Sequence, residues 1–223
     1  MPDGVHRYGR ATFLAVTAAG LSSLAWGDPL WRRLSSLGTL LPPSIVPSGW
    51  RIYTVAATMP RFDAATWRLE VGGLVDRPLS LTYEQLRALP RAEQVSDFHC
   101  VTGWSVSHVH WGGVRFSDLL AAAKPRHEGH ALQFTSAEQP YVDSLTLAQA
   151  LLPDVMLAHE LDGRLLSRPH GAPARVVMPE MYGYKGVKWL TRMELVAREP
   201  TGYWEGLGYD QDAWVGRSNG YGS

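Results

Sequence analysis

Apolar and polar residues alternate in short runs along this chain, and prolines, glycines or capping residues close most of them. Trp67-Arg68-Leu69-Glu70-Val71 has a clean period of two, the pattern of a half-buried strand. Arg51-Ile52-Tyr53-Thr54-Val55 is rich in β-formers and predicts a strand near the start of the folded part. Val95 to Cys100, Ala131 to Ser136, Arg175 to Met178 and Val187 to Val196 predict further strands. Asp162-Gly163 reads as a hairpin turn between strands at about 155–160 and 164–167. Helical signals are fewer. Thr82 with Gln85 forms a capping box for a helix at about 83–89, stopped by Pro90. Ser117 can cap a helix through Asp118, Leu119, Leu120 and Ala121 to Ala123, ended by Pro125. Thr146 with Gln149 repeats the capping box for a helix ending at Pro153. The pattern predicts a β-dominated α+β fold with short helices. It contains no internal repeat and no glycine-rich nucleotide loop of either common type.

Composition narrows this little. A chain of 223 residues with no linker-like run in its middle fits one domain with a sizeable core. The 21 basic residues balance 21 acidic ones, so no global field draws the protein to nucleic acid or anionic membrane. Only three of the cations are lysines, and Lys185 and Lys188 stand three residues apart among glycines. Nine tryptophans and 22 glycines suit a loop-rich fold with large rigid anchors. At the N-terminus, Arg7 and Arg10 precede an apolar stretch from Phe13 to Trp26 that is short for a membrane span. Residues 1–27 therefore read as an export signal, with Ala25-Trp26-Gly27 offering small residues for cleavage. Arg10-Ala11-Thr12-Phe13-Leu14 is similar to a twin-arginine motif but has Ala11 where the second arginine belongs. A helix packed on the domain and an uncleaved anchor are the alternatives. Residues 28–49, rich in Pro, Ser and Leu, read as a tether, and the domain spans 50–223.

The chemistry centres on a single cysteine. Cys100 ends an apolar approach and precedes Val101-Thr102-Gly103-Trp104-Ser105, as a strand running out into a tight loop would. It has no intrachain disulfide partner. A thiolate is a soft metal donor, yet one cysteine builds neither a zinc nor an iron–sulfur site. His99, His108 and His110 are candidate co-ligands, but His99 should point to the opposite side of the strand from Cys100. A buried, chemically idle thiol is the bland alternative. Downstream, Arg175 offers a bidentate fork for phosphate and Lys188 a point charge, while Gly183 and Gly186 permit close backbone approach.

Three segments then match a family: Phe98-His99-Cys100-Val101-Thr102-Gly103-Trp104-Ser105, His170-Gly171-Ala172-Pro173-Ala174-Arg175 and Tyr182-Gly183-Tyr184-Lys185-Gly186-Val187-Lys188-Trp189. In order and spacing they resemble the molybdopterin-binding domain of the sulfite oxidase superfamily, from about Arg51 to Tyr209. The resemblance implies that fold and one mononuclear molybdenum, held by the dithiolene sulfurs of one pterin, by Cys100 and by oxygen ligands. It implies that His170, Arg175, Gly186, Val187 and Lys188 hold the pterin and its phosphate, with Tyr53, Thr54 and Ser136 adding contacts. Tyr209 would face the metal and Trp104 would wall the pocket.

The protein is expected to be without the dimerisation and haem domains of animal sulfite oxidases. It is thus similar to the stripped-down bacterial form, the catalytic subunit of periplasmic methionine-sulfoxide reductases. Sulfite-oxidising members carry arginines where this chain has Tyr53 and Ser105, which favours a neutral substrate. Arg51, Arg168 or Lys185 could restore anion binding by swinging in. The expected protein is an exported monomer that performs two-electron oxygen-atom transfer on a neutral S-oxide or N-oxide, small or protein-bound. Its electrons would come from a membrane cytochrome. Sulfite oxidation is the runner-up. A non-catalytic cofactor-binding module and a Cys–His hydrolase built on Cys100 are the readings from other classes.

Overall fold

The computed structural model describes residues 49–218. The expected export segment, and the tether apart from its last residue, lie outside the described residues.

Among the described residues, ten strands and three short α-helices follow in chain order, confirming a β-dominated α+β fold. They are β1 (Arg68–Gly73), β2 (Leu79–Thr82), α1 (Tyr83–Arg87), β3 (Ala92–Cys100), β4 (Trp104–Arg115) and α2 (Phe116–Ala123). Then come β5 (Ala131–Ser136), β6 (Val142–Thr146), α3 (Leu147–Ala150), β7 (Met156–Leu161), β8 (Arg164–Leu165), β9 (Arg175–Val177) and β10 (Leu190–Val196). The first sheet runs β2-β1-β10-β5-β6. The second runs β3-β4-β7-β8, with β9 also on β7. Only β1 and β10 pair in parallel; every other named pairing is antiparallel.

The alternation that predicts β1 does so because Leu69 and Val71 enter the main core while Arg68 and Glu70 stay outside it. Both capping boxes form, at Thr82 with Gln85 and at Thr146 with Gln149. Their reciprocal bonds satisfy amides that short helices otherwise leave unpaired. At α2 the cap differs from expectation. The helix begins at Phe116 after Arg115, without a side-chain cap, because Phe116 is drawn fully into the core. Asp162 and Gly163 both take positive φ (51° and 71°), as the hairpin between β7 and β8 requires.

Two predicted strands are corrected. Residues 51–55 are irregular, because the Glu138 carboxylate takes the amides of Val55 (2.8 Å) and Ala56 (3.2 Å) that a ladder would use. The strand expected from Val187 starts at Leu190, because Trp189 has a left-handed backbone (φ 52°) that breaks the extended run. The second departure is placed where Lys188 leaves the turn.

Candidate active site

The β3–β4 hairpin delivers the thiol. Cys100 pairs with Trp104 at the hairpin's end, and His99 with Ser105 one step back. The turn closes through Gly103, whose φ of 88° disfavours a side chain and whose amide reaches the Cys100 carbonyl at 3.0 Å. Cys100 is part-exposed, and its Sγ lies 3.2 Å from Thr102 Oγ1. His99 turns away, its Nδ1 2.9 Å from Ser105 Oγ. The described residues contain no group of three or more His, Cys, Asp or Glu side chains placed to hold a metal.

Cys100 opens onto a cavity of about 220 Å³. Tyr53, Thr54, Trp104, Arg175, Gly186, Lys188 and Tyr209 line it with Cys100, so eight of the residues singled out from sequence converge on one space. Three others do not line it. Val187 is fully buried in the main core. Ser136 donates to the Lys188 carbonyl (2.7 Å) and accepts from the Glu138 amide (2.9 Å), placing both neighbours. His170 stands edge-on to Trp50, with Nδ1 held at 2.8 Å by Ser167 Oγ and Nε2 buried without a partner.

The two cations come from different sheets. Arg175 begins β9 in the second sheet, and Lys188 lies just ahead of β10 in the first. Backbone bonds from Val176 to Val187 (2.8 Å) and from Leu190 to Ala174 (2.9 Å) join the segments. Arg175 is only 3% exposed, clasped between the rings of Phe98 and Trp111 at 5.5 and 5.3 Å. Its Nη1 donates to the His170 carbonyl (3.3 Å), and Nε is buried without a partner among the described residues. Burial drives its pKa down to about 10. Lys188 donates to the Tyr53 carbonyl (2.6 Å), and burial followed by the Arg175 charge lowers its ammonium to about 8. Neither cation forms an ion pair with a carboxylate among the described residues. A buried and a part-buried cation held this way favour an anion from outside the chain. Trp104 Nε1, also buried and unpartnered, adds a donor. The donor set fits a phosphorylated cofactor together with one soft ligand for its metal.

The glycines act differently from expectation. The Gly186 amide is spent on the Gly183 carbonyl (3.1 Å), so its value is closeness, with Arg175 Nη2 3.1 Å from where a Cβ would sit. Gly183 makes room for the Phe98 ring. Ser105 faces His99, outside the cavity, so its identity cannot tune the pocket directly. Lys185 is buried in an ion cluster, and Arg168 is tied to the carbonyls of Met59 and Pro60. Arg51 alone of the three lines the cavity.

Sequence reasoning missed Trp50, Glu138, Tyr141 and Tyr184, which also line it. Trp50 packs on Phe98, Trp104, Trp111 and His170, an aromatic cluster gathered from separate segments with no shared motif to reveal it.

Residues 56–204 match the family described as oxidoreductase molybdopterin binding domain. The Bacillus subtilis oxidoreductase YuiH is 37% identical over 155 residues, covering 68% of this chain and 77% of its own. The Gluconobacter oxydans protein-methionine-sulfoxide reductase catalytic subunit MsrP is 32% identical over 175 residues, covering 71% of this chain and 56% of its own. Among solved structures, the sulfane dehydrogenase SoxCD of Paracoccus pantotrophus superposes with a TM-score of 0.59 at 28% identity. That likeness covers 63% of this chain and 41% of SoxCD.

Proposed function

The chain belongs to the oxidoreductase molybdopterin-binding domain family, and from that premise we propose that it is an oxygen-atom-transfer enzyme reducing a neutral S-oxide or N-oxide. The observation that carries this reading is one cavity holding a lone thiol, the buried Arg175 and the part-buried Lys188, neither cation paired with a carboxylate among the described residues. The kinship with methionine-sulfoxide reductase catalytic subunits supports the direction of the reaction.

Bound there, the molybdenum–pterin group supplies a two-electron couple at which the oxygen atom is transferred. Cys100 would be the soft protein ligand of the metal. Arg175 and Lys188 would hold the cofactor's phosphate, with His170 and the backbone from Gly186 to Lys188 around it. Tyr53 and Thr54 close the same wall, and Ser136 sets the Lys188 carbonyl. Tyr209, tilted against Trp204 at 5.1 Å and edge-on to Tyr184, would hydrogen-bond the substrate oxygen. Trp50, Phe98 and Trp104, which line the same cavity, would shield that oxygen from water.

A neutral substrate is favoured because Tyr53, rather than a cation, stands at the rim beside Trp104. Arg51 at the same cavity is the specific reason to retain sulfite oxidation as the second reading. Electrons would come from a separate partner, for which a membrane cytochrome is our proposal, with export and a periplasmic site of action. No described helix is long and apolar enough to cross a membrane. Steady-state kinetics on molybdenum-loaded protein test the substrate class. Methionine sulfoxide or dimethyl sulfoxide with a reduced viologen should give the higher kcat/KM. A higher value for sulfite with an oxidising acceptor would replace the first reading with the second.

A further inference from the structure

Behind the cavity wall, three ionisable side chains from three elements meet away from solvent. Lys185, 0% exposed, donates from Nζ to Asp143 Oδ1 on β6 (2.7 Å) and to Glu205 Oε1 in a short turn (2.8 Å). Asp143 Oδ1 also accepts from the Ser144 amide at 2.7 Å. Asp143 Oδ2 and Glu205 Oε2 are buried and have no partner. One ammonium cannot balance two carboxylates, so the fully ionised cluster carries a surplus negative charge in a dry place, which is strongly disfavoured. Two oxygens lacking a donor are where a proton would relieve that charge.

Chain position gives the cluster its reach. Lys185 sits between Gly183 and Gly186, both in the cavity wall, and three residues before Lys188. Glu205 lies between Trp204 and Tyr209, also in the wall. Asp143 ties both segments to β6 of the first sheet.

We propose that Asp143, Lys185 and Glu205 form a proton-holding clasp that positions the cofactor cradle of Gly183 to Lys188 and the Trp204–Tyr209 arm. It stays closed while the cluster keeps one proton and opens as that proton is lost. The inference rests on the cavity being the cofactor's site, and it is indifferent to which oxide is reduced.

The surroundings agree. Burial, then Glu205, raises the Asp143 carboxyl to about 7 against the pull of Lys185. Burial opposes the Lys185 ammonium, but the two carboxylates outweigh it and keep Lys185 charged. Tyr141 and Tyr184 flank the cluster, and burial raises both phenols, so neither adds charge near neutral pH. Arg175 and Glu138 face Tyr141, and Asp210 and Tyr182 face Tyr184. Glu199 reaches only the Ser144 hydroxyl, at 3.4 Å. A carboxyl raised above its unfolded value of about 4 stabilises the fold most at low pH. That contribution declines as pH rises and is gone once pH passes the folded value near 7.

The test uses the cofactor-loaded full chain as wild type, Asp143→Asn and Lys185→Met. Pterin release is followed at about pH 6 and about pH 8.5, between which the ionised fraction of a group titrating near 7 rises about tenfold. Wild-type release should accelerate by up to about that factor, while Asp143→Asn, the neutral isostere, should release slowly at both. The Tm of Asp143→Asn minus that of wild type should grow from about pH 5 to about pH 7 and then level. Lys185→Met should shed pterin at both pH values. An Asp143→Asn protein with the wild-type pH dependence, or one that fails to fold, would overturn the proposal. So would a Lys185→Met protein that keeps its pterin.

Discussion

At the residue scale, the two lysines of one short motif have opposite environments. Lys185 is surrounded by carboxylates and stays charged, whereas Lys188 shares its space with Arg175 and is pushed toward neutrality. Nothing in the spacing of the motif distinguishes them, because the distinction depends on Asp143 and Glu205, distant in sequence. For Lys188 the pH consequence runs opposite to that of the clasp. Its folded value of about 8 lies below the unfolded value of about 10.4, so the unfolded chain holds more protons between them. Cofactor-free wild type should therefore gain stability relative to Lys188→Met as pH rises from about 8 to about 10. Urea unfolding at those two values checks this, and a gap that shrinks would refute it. In the loaded protein, Lys188→Ala or Arg175→Ala should each weaken pterin binding about ten- to hundredfold, from a charge-assisted contact of about 1.5–3 kcal/mol. Pterin content after gel filtration reads that loss directly.

At the element scale, the cradle turn is shaped by what it must pass. A Cβ on Gly183 would overlap the Phe98 ring. That ring is hemmed in by Trp50 at 4.9 Å, Trp104 at 5.6 Å and the Arg175 guanidinium, so it cannot easily yield. Gly183→Ala should cost about 1–3 kcal/mol by overpacking and lower pterin occupancy, because Phe98 clasps Arg175. A Tm and an occupancy both equal to wild type would show that Phe98 is free to move. The glycine was visible in sequence, but its reason was not, since Phe98 comes from β3, far away along the chain. The same division holds for the elements. β1, the two capping boxes and the Asp162-Gly163 hairpin follow from local chemistry, which is why spacing alone predicts them. Residues 51–55 have strand-forming side chains, but a buried carboxylate from beyond β5 claims two amides at the end of that run. Cys100, Arg175 and Lys188 were legible as unusual residue types in unusual company. Trp50 and Glu138 were not, because a lone tryptophan or glutamate carries no local signature.

For the whole molecule, the cavity is the place where two separately wound sheets meet through side chains of opposite origin. The second sheet contributes Cys100 and Arg175, and the first contributes the approach to Lys188. An anionic cofactor between buried Arg175 and part-buried Lys188 would relieve their repulsion and tie the sheets together, so its binding free energy adds to folding stability by linkage. Chain produced without cofactor should therefore melt well below the loaded protein, and the gap should depend on the cradle more than on the metal ligand. Cys100→Ser separates these contributions. A hard hydroxyl replaces the soft donor while Arg175 and Lys188 remain. We expect this variant to fold and keep most of its pterin and of its Tm gain, yet show little or no oxygen-atom transfer. Pterin content, Tm and turnover are measured on the same preparation. Wild-type turnover in Cys100→Ser would remove Cys100 as the ligand, and loss of pterin with the thiol would mean that the metal bond, rather than the cation pair, holds the sheets together.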